Sequence, residues 1–351
     1  MEVSMQVFEE MQSYGHEMIV FARDEKVGLK TIIAIHDTTL GPAGGGTRFW
    51  DYKSEEDALY DVLRLSKGMS LKNAGAHLKL GGGKAVIIGD PKKLKSREFF
   101  NAYGKIVETL NGKYYTAEDV NTNTQDIGWI HEITKYVMGT PEISGNPSPF
   151  TARGVYKGMK AGAKATFGTD DLSGKTIAIM GLGSVGFFLA QFAHKEGAKL
   201  KVFDINKDAM DRAVKELGAT PVTADEILNT DCDIFAPCAL GAILNVDNVK
   251  NLKCKMICGA ANNVLVDAAA GDAVASRGIL YCPDYIVNAG GIINCSAEII
   301  SPVYDVDEVN KKVDEIYGTT LNIIELAKKK NISTAAAADE YAMGVILAAR
   351  K

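Results

Sequence analysis

Strands alternating with helices in two separate runs of the chain predict an α/β protein of two domains with a cleft between them. Three observations carry that prediction. Strand-like and helix-like segments alternate from about residue 84 to 131. A Pro/Gly/Ser punctuation, Ser144-Gly-Asn-Pro-Ser-Pro149, then makes a hinge through which no helix can run, and the alternation begins again at Lys175-Thr-Ile-Ala-Ile-Met180. A length of 351 residues is long for one core and comfortable for two.

In the first run, Glu17-Met-Ile-Val-Phe-Ala and Thr31-Ile-Ile-Ala-Ile-His flank Asp24-Glu-Lys-Val-Gly28 and read as a two-stranded hairpin. Ser54-Glu-Glu-Asp57 opens a helix like a capping box. Ala58, Leu59, Val62, Leu63, Leu65 and Met69 follow at helical spacing, and Gly68 marks its end. A strand over 84–89, a helix near 96–110, a strand over 113–117 and a helix opened by Asn121-Thr-Asn-Thr124 come next. Near the end, Val309, Val313, Tyr317, Leu321 and Ile324 form the stripe of one long amphipathic helix, and Ser333-Thr334 caps an Ala-rich final helix.

Composition narrows the function classes. A net charge of −5 with no block of like charges gives no footprint for nucleic acid. No apolar run approaches the roughly 18 residues of a membrane span. The first ten residues lack the basic and apolar regions of a signal peptide, so a cytoplasmic protein is expected. Cys232, Cys238, Cys254, Cys258, Cys282 and Cys295 lie mostly in apolar runs without a C-x-x-C pair, and read as reduced, buried thiols. His131-Glu132 is followed by Ile-Thr-Lys, which breaks the H-E-x-x-H pattern, and no metal is expected.

Gly181-Leu-Gly183-Ser184-Val185-Gly186 directly follows an apolar strand and opens a helix, and Asp204 closes the next strand. Alone, G-x-G-x-x-G is weak. With strand before, helix after and an acid about 20 positions on, it is the full context of a dinucleotide site. The glycines admit a pyrophosphate to the positive end of the helix, and the carboxylate accepts from a ribose diol. That carboxylate repels a 2′-phosphate, which favours NAD over NADP, although Lys207 stands close in sequence.

Leu80-Gly-Gly-Gly-Lys84 resembles a phosphate loop but continues as Ala85-Val-Ile-Ile, a strand without the required Ser or Thr. Lys84 therefore needs another purpose. Lys72 precedes it by 12 positions, and if the intervening loop folds back, two ammonium groups share a pocket in which a desolvated lysine can act as a base. Asp119, just past strand 113–117, occupies the kind of strand end where open α/β sheets bind ligands.

Leu40-Gly-Pro-Ala-Gly-Gly-Gly-Thr-Arg48, Lys67-Gly-Met-Ser-Leu-Lys-Asn73, Leu80-Gly-Gly-Gly-Lys84, Thr116-Ala-Glu-Asp119, Ala236-Pro-Cys-Ala-Leu-Gly241, Gly259-Ala-Ala-Asn-Asn263 and Pro283-Asp-Tyr-Ile-Val-Asn-Ala-Gly-Gly291 resemble, in order, the motifs of the leucine/phenylalanine/valine dehydrogenases within the glutamate dehydrogenase superfamily. The resemblance implies an N-terminal substrate, catalytic and oligomerisation domain over 1–145 and a Rossmann NAD-binding domain over 146–333. The last helix, about 334–351, is expected to pack back on the first domain. It also implies NAD-dependent oxidative deamination of a hydrophobic L-amino acid to the 2-oxo acid and ammonium.

By the same resemblance Lys72 grips the substrate carboxylate, Lys84 polarises the reacting centre and activates water, and Asp119 holds the amino group and shuttles protons. Gly44, Gly45, Met69, Ala117, Asn262, Ile292 and Cys295 would meet the substrate. Thr151, Cys238, Ala239 and Asn262 would join Gly181, Gly183, Ser184, Val185, Gly186 and Asp204 on the cofactor. Leucine enzymes usually carry Leu where this chain has Gly44, which suggests room for a phenyl or indole ring, whereas Ala117 and Ile292 match the branched-chain members. A branched-chain, leucine-like substrate is expected first, an aromatic amino acid second, and a non-catalytic NAD-sensing protein is the alternative of another class. The chain ends at Lys351, short of the tail many relatives carry, so a homo-oligomer is expected but not an octamer.

Overall fold

The computed structural model describes residues 6–301 and 303–350. The chain divides into two compact units. One contains the residues up to Asn146, 294–305 and those from Met343 on; the other contains Pro147–Ile293 and Val306–Ala342. The first division falls inside the Ser144–Pro149 punctuation. The return of 294–305 to the first unit, and the place of 334–342 in the second, differ from a simple split at 145 and 333.

In the first unit, α1 (Val7–Tyr14), β1 (Met18–Asp24), β2 (Leu29–Asp37), β3 (Ala43–Trp50), α2 (Glu55–Gly75), β4 (Gly81–Ile88), α3 (Pro91–Leu94), α4 (Arg97–Thr109), β5 (Tyr114–Glu118) and α5 (Thr124–His131) follow in order. The strands make one sheet in the order β1-β2-β4-β3-β5. β1 and β4 run antiparallel to β2, and β3 runs parallel to β4 and β5. On one face Ile33, Ile35, Phe49, Ala85 and Ile87 pack with Phe99, Phe100 and Tyr103 of α4. Burying Phe99 and Phe100, both 0% exposed, contributes roughly 1.5–3 kcal/mol each. On the other face Ile32, Ala34 and Val86 pack with Ala58, Leu59, Val62 and Leu63 of α2.

Two local expectations change. Gly68 does not end α2, which continues to Gly75, so Met69 and Lys72 are helical residues and not part of a loop. A helical glycine costs about 1 kcal/mol against alanine, and burial of Ser70, Asn73 and Ala74 in the last turns outweighs it. The glycine runs at 44–46 and 81–83 are strand, not loop. Their backbones pack too closely for side chains: a Cβ on Gly82 would stand 2.1 Å from Ser70 Oγ.

α1, β2 and α2 enclose a pair of imidazoles. His16 Nε2 lies 2.6 Å from Ser66 Oγ, His36 Nδ1 lies 2.7 Å from Ser70 Oγ, and the rings meet edge to face at 4.9 Å. Burial, then the His36 and Lys67 charges, push His16 down to about 3, and burial likewise lowers His36. Unfolding frees both rings to take up protons near pH 6.5. Stability should therefore be complete above that pH and fall as pH drops from 6.5 toward 3, by up to about 1.4 kcal/mol per pH unit per ring. Thermal melts from pH 7.5 to 4.5 check this. A His16→Phe variant should show a shallower fall, and equal slopes would disprove the assignment.

The second unit holds α6 (Ser148–Phe167), β6 (Thr176–Met180), α7 (Ser184–Lys195), β7 (Lys199–Phe203), α8 (Lys207–Leu217), β8 (Thr220–Pro221), α9 (Ala224–Ile227), β9 (Ile234–Pro237), β10 (Met256–Ile257), α10 (Ala268–Ser276), β11 (Leu280–Tyr281) and α11 (Asp284–Val287). α12 (Gly290–Ile300) begins in this unit and ends in the first. α13 (Val306–Asp314) and α14 (Ile316–Lys330) replace the single long helix expected there, with a break at Glu315. α15 (Thr334–Ala349) is the Ala-rich last helix. All strand pairs in this unit are parallel, in the order β11-β10-β9-β6-β7-β8, so the order reverses between β6 and β9. No helix among the described residues is long and apolar enough to cross a membrane.

Candidate active site

In the first unit, register sets Arg48 of β3 opposite Val86 of β4. Lys84 lies two residues before Val86, so Arg48 and Lys84 leave the sheet on the same face. Lys84 is 5% exposed, and its Nζ lies 2.9 Å from Asp119 Oδ1. The second oxygen, Oδ2, accepts from Arg48 Nε at 3.0 Å. Asp119 comes this near because residue 46 is glycine: a Cβ there would stand 3.0 Å from Asp119 Cβ and 2.2 Å from the Glu118 carbonyl oxygen.

The turn that carries Asp119 is tied down. Its backbone N–H donates to Thr122 Oγ1 at 2.8 Å, and that hydroxyl donates to the Thr47 carbonyl at 2.9 Å. Burial alone would raise the Asp119 carboxyl. The charges of Lys84 and Arg48, with the hydrogen bond to Lys84, outweigh it and hold the group well below the usual carboxylate range. Asp119 is thus an anion held between two cations. The ammonium of Lys84 thus has a carboxylate against it.

Lys72 lies three residues beyond Met69, on the same side of α2, and is half-buried. Met69 Cγ is 3.2 Å from where a Gly45 Cβ would stand, and Asn73 Nδ2 donates to the Gly81 carbonyl at 2.7 Å, which docks this end of the helix on the glycine strands. Ala117, 7% exposed, pairs across from Gly46. Buried Cys295 on α12 has its Sγ 3.2 Å from the position of a Gly139 Cβ, and burial pushes its thiol up to about 12, so it is neutral and suits an apolar wall. Ile292 is half-buried one turn earlier on α12.

Gly44 itself has two side-chain ends close to where a Cβ would stand. A Cβ at Gly44 would meet Leu80 Cδ1 and Met138 Cε, each at 3.2 Å, and both side chains are fully buried. Gly44→Leu should therefore overpack this spot and cost about 1–3 kcal/mol, read as a lower Tm. An unchanged Tm would mean that Met138 and Leu80 yield freely.

In the second unit the three fingerprint glycines have separate tasks. Gly181 turns the chain at φ +105°. A Cβ on Gly186 would lie 2.0 Å from the Gly181 carbonyl oxygen, so α7 packs on the turn only without one. Gly183, at φ −64° and ψ −168°, has nothing within 4 Å of a Cβ position. The fold does not require glycine there, whereas a pyrophosphate approaching the N-terminus of α7, at Ser184 and Val185, does. Asp204 follows β7 and accepts from the Leu182 N–H at 2.6 Å and the Asn206 N–H at 2.7 Å, which fixes the carboxylate beside the glycine turn.

Cys238 and Ala239 follow β9, the strand on the other side of the reversal. The Cys238 N–H donates to the Met180 carbonyl at 2.7 Å, and the Ala239 nitrogen is 2.7 Å from a Gly181 Cβ position. The fingerprint and the 238–239 turn thus meet at the carboxyl ends of the two central strands, where parallel sheets take dinucleotides. These residues fit NAD. Thr151 Oγ1 on α6 donates to the Pro147 carbonyl at 3.1 Å, and Asn262 Oδ1 accepts from Asn288 Nδ2 at 2.7 Å.

Residues 16–136 match the family model for the Glu/Leu/Phe/Val dehydrogenase dimerisation domain, and residues 200–351 that for Glutamate/Leucine/Phenylalanine/Valine dehydrogenase. Residues 151–246 match the NAD binding domain of D-isomer specific 2-hydroxyacid dehydrogenases. The leucine dehydrogenase of Bacillus subtilis is 53% identical over 96% of this chain and 93% of that protein. The phenylalanine dehydrogenase of Caldalkalibacillus thermarum is 45% identical over 93% and 90%. Among solved structures, L-tryptophan dehydrogenase from Nostoc punctiforme superposes with a TM-score of 0.87 at 42% identity, covering 98% of this chain and 100% of that one. With two of its family models matched in succession and over half of its residues shared with such an enzyme along nearly its whole length, the chain belongs to the glutamate/leucine/phenylalanine/valine dehydrogenase family.

Proposed function

We propose that the protein catalyses the reversible, NAD-dependent oxidative deamination of a branched-chain, leucine-like L-amino acid to its 2-oxo acid and ammonium. The observation that carries this assignment is the buried ion pair of Lys84 with an ionised Asp119, in a chain that is 51–53% identical to leucine dehydrogenases. Lys72 binds the substrate carboxylate. Asp119, kept anionic, accepts from the substrate amino group and passes its protons. Lys84 polarises the substituent on the reacting carbon and activates the water that replaces nitrogen. NAD, when bound, supplies the acceptor for the hydride.

Substrate size follows from the apolar residues. Ala117 and Cys295 offer no partner for a charged side chain, which disfavours glutamate. Leu80 and Met138 stand 3.2 Å from a Gly44 Cβ position, which favours a branched-chain over a ring substrate. We assign the enzyme to the cytoplasm and expect a homo-oligomer, which light scattering coupled to size exclusion would test; a monomer at micromolar concentration would reject the latter.

The direct test mixes the protein with NADH, ammonium and a panel of 2-oxo acids, following the loss of reduced nicotinamide absorbance. Oxoisocaproate and oxoisovalerate should turn over faster than phenylpyruvate and indolepyruvate, and 2-oxoglutarate least. A hydrophobic pocket separates one methylene by only about 1–3 kcal/mol, so the ranking should be graded. Preference for a ring would overturn the substrate assignment, and silence across the panel with NADH bound would favour NAD sensing.

A further inference from the structure

Asp119 has two carboxylate oxygens, and each is held by a different cation: Oδ1 by Lys84 and Oδ2 by Arg48. The two cations are not equivalent. A guanidinium keeps its proton at any working pH, whereas an ammonium can surrender one. If Lys84 changes protonation during turnover, Arg48 is the charge that remains on Asp119.

Arg48 is itself anchored on its far side. Its Nη1 donates to Asp61 Oδ2 at 2.8 Å. The same Asp61 accepts from Tyr52 Oη at 2.7 Å and, through Oδ1, from Arg64 Nη2 at 3.0 Å. The guanidinium is therefore fixed between a carboxylate of α2 and the carboxylate that follows β5, with only 22% of its side chain exposed. The Asp61 side chain is 15% exposed. Such double anchoring restrains the rotation of the Asp119 carboxylate about its χ2, which Lys84 and the Val120 N–H would otherwise hold without a second cation.

We propose that Arg48 is a positioning residue for the reaction: it clamps Asp119 Oδ2 so that Oδ1 faces Lys84, and Asp61 acts through it by holding the guanidinium in place. The inference rests on the assignment of Lys84 and Asp119 as the proton-handling pair. It adds to them a charge relay in space, Asp61 to Arg48 to Asp119, in which no bond changes and only orientation and potential are transmitted.

The test measures kcat, the KM values for amino acid and NAD, and thermal melts for the wild-type protein, Arg48→Gln, Asp61→Asn and the double variant. Arg48→Gln should lower kcat by about 100-fold, the cost of a misplacement of about 1 Å, with the KM for NAD within about twofold of wild type. Asp61→Asn keeps the guanidinium but loosens its anchor, and should lower kcat about 10-fold, the equivalent of one hydrogen bond to a charged group. The double variant should be no slower than Arg48→Gln, because Asp61 has nothing left to act through.

A folded Arg48→Gln with kcat within threefold of wild type would overturn the proposal. So would losses that multiply in the double variant, since independent structural damage does that. If Arg48→Gln fails to fold, Asp61→Asn decides alone: a lower kcat with unchanged KM for NAD supports the clamp, and an unchanged kcat removes it. Wild-type protein inactive on every amino acid would sink the functional assignment together with the clamp. An active wild type with an indifferent Arg48 would sink the clamp only.

Discussion

Lys84→Met is expected to lower kcat for the branched-chain amino acid by about 10²–10⁴-fold, the range of a lost general acid–base group, in a protein that still folds and binds NADH. Methionine fills the channel of the buried lysine stem and removes only the ammonium. Asp119 would keep Arg48, so the variant does not strand a bare buried carboxylate. Losing one of its two cations should raise the Asp119 carboxyl toward the usual range. Stability should fall by roughly 1–3 kcal/mol. Steady-state kinetics beside a thermal melt give the answer, and a folded Lys84→Met with kcat within tenfold of wild type would show that the reaction does not use this amine.

Gly183→Ala and Gly186→Ala should separate cofactor binding from folding. At Gly183 the backbone angles suit any residue and the space around a Cβ is open. The new methyl group therefore meets only the ligand. An overpacking cost of about 1–3 kcal/mol translates to roughly 5- to 150-fold weaker NADH binding at 1.4 kcal/mol per decade, while Tm should move by no more than about 3 °C. At Gly186 a Cβ would sit 2.0 Å from a backbone oxygen, and the apoprotein itself should melt earlier. Titration of NADH fluorescence, with melts of both apoproteins, checks the pair. Equal loss of stability in the two variants would mean that the Gly183 position is structural.

What the sequence revealed and what it hid divide along a physical line. The fingerprint was legible because its chemistry is local: a strand, three glycines, a helix and an acid fall within 30 residues. α5 was legible for the same reason, since Asn123 and Asp126 form a capping box with each other. β3 and the glycine start of β4 were not, although 84–88 of β4 was read as strand, because glycine is a poor strand former; close approaches such as those of Ser70, Asp119 and the Gly83 carbonyl explain its use there. α2 was cut short at Gly68 because the burial that sustains its last turns comes from the sheet.

Lys84 and Asp119 were singled out from the residues and given their roles by resemblance, but their geometry was not legible. Arg48 lies 71 positions from Asp119 and 13 from Asp61, and nothing in those intervals marks the three as neighbours. Arg48 stood at the end of the Gly-Gly-Gly-Thr-Arg48 motif without a role. Met138 gave no signal at all, although its side-chain end lies 3.2 Å from a Gly44 Cβ position.

The division of the chain also bears on how such a protein can be taken apart. The polypeptide passes from one unit to the other at 146, 293, 305 and 342. Glu298 Oε1 receives the backbone N–H groups of Thr140 and Ser144, and Arg350 pairs with Asp37 at 2.5 Å, so the first unit is finished by pieces synthesised last. A gene fragment ending at Asn146 would encode a body with open seams, and neither half is a cassette that could be transplanted by a single cut. Exchanging cofactor units between relatives would need junctions at all four passages, and during synthesis the Glu298 and Arg350 contacts of the first unit form only after those late residues have emerged.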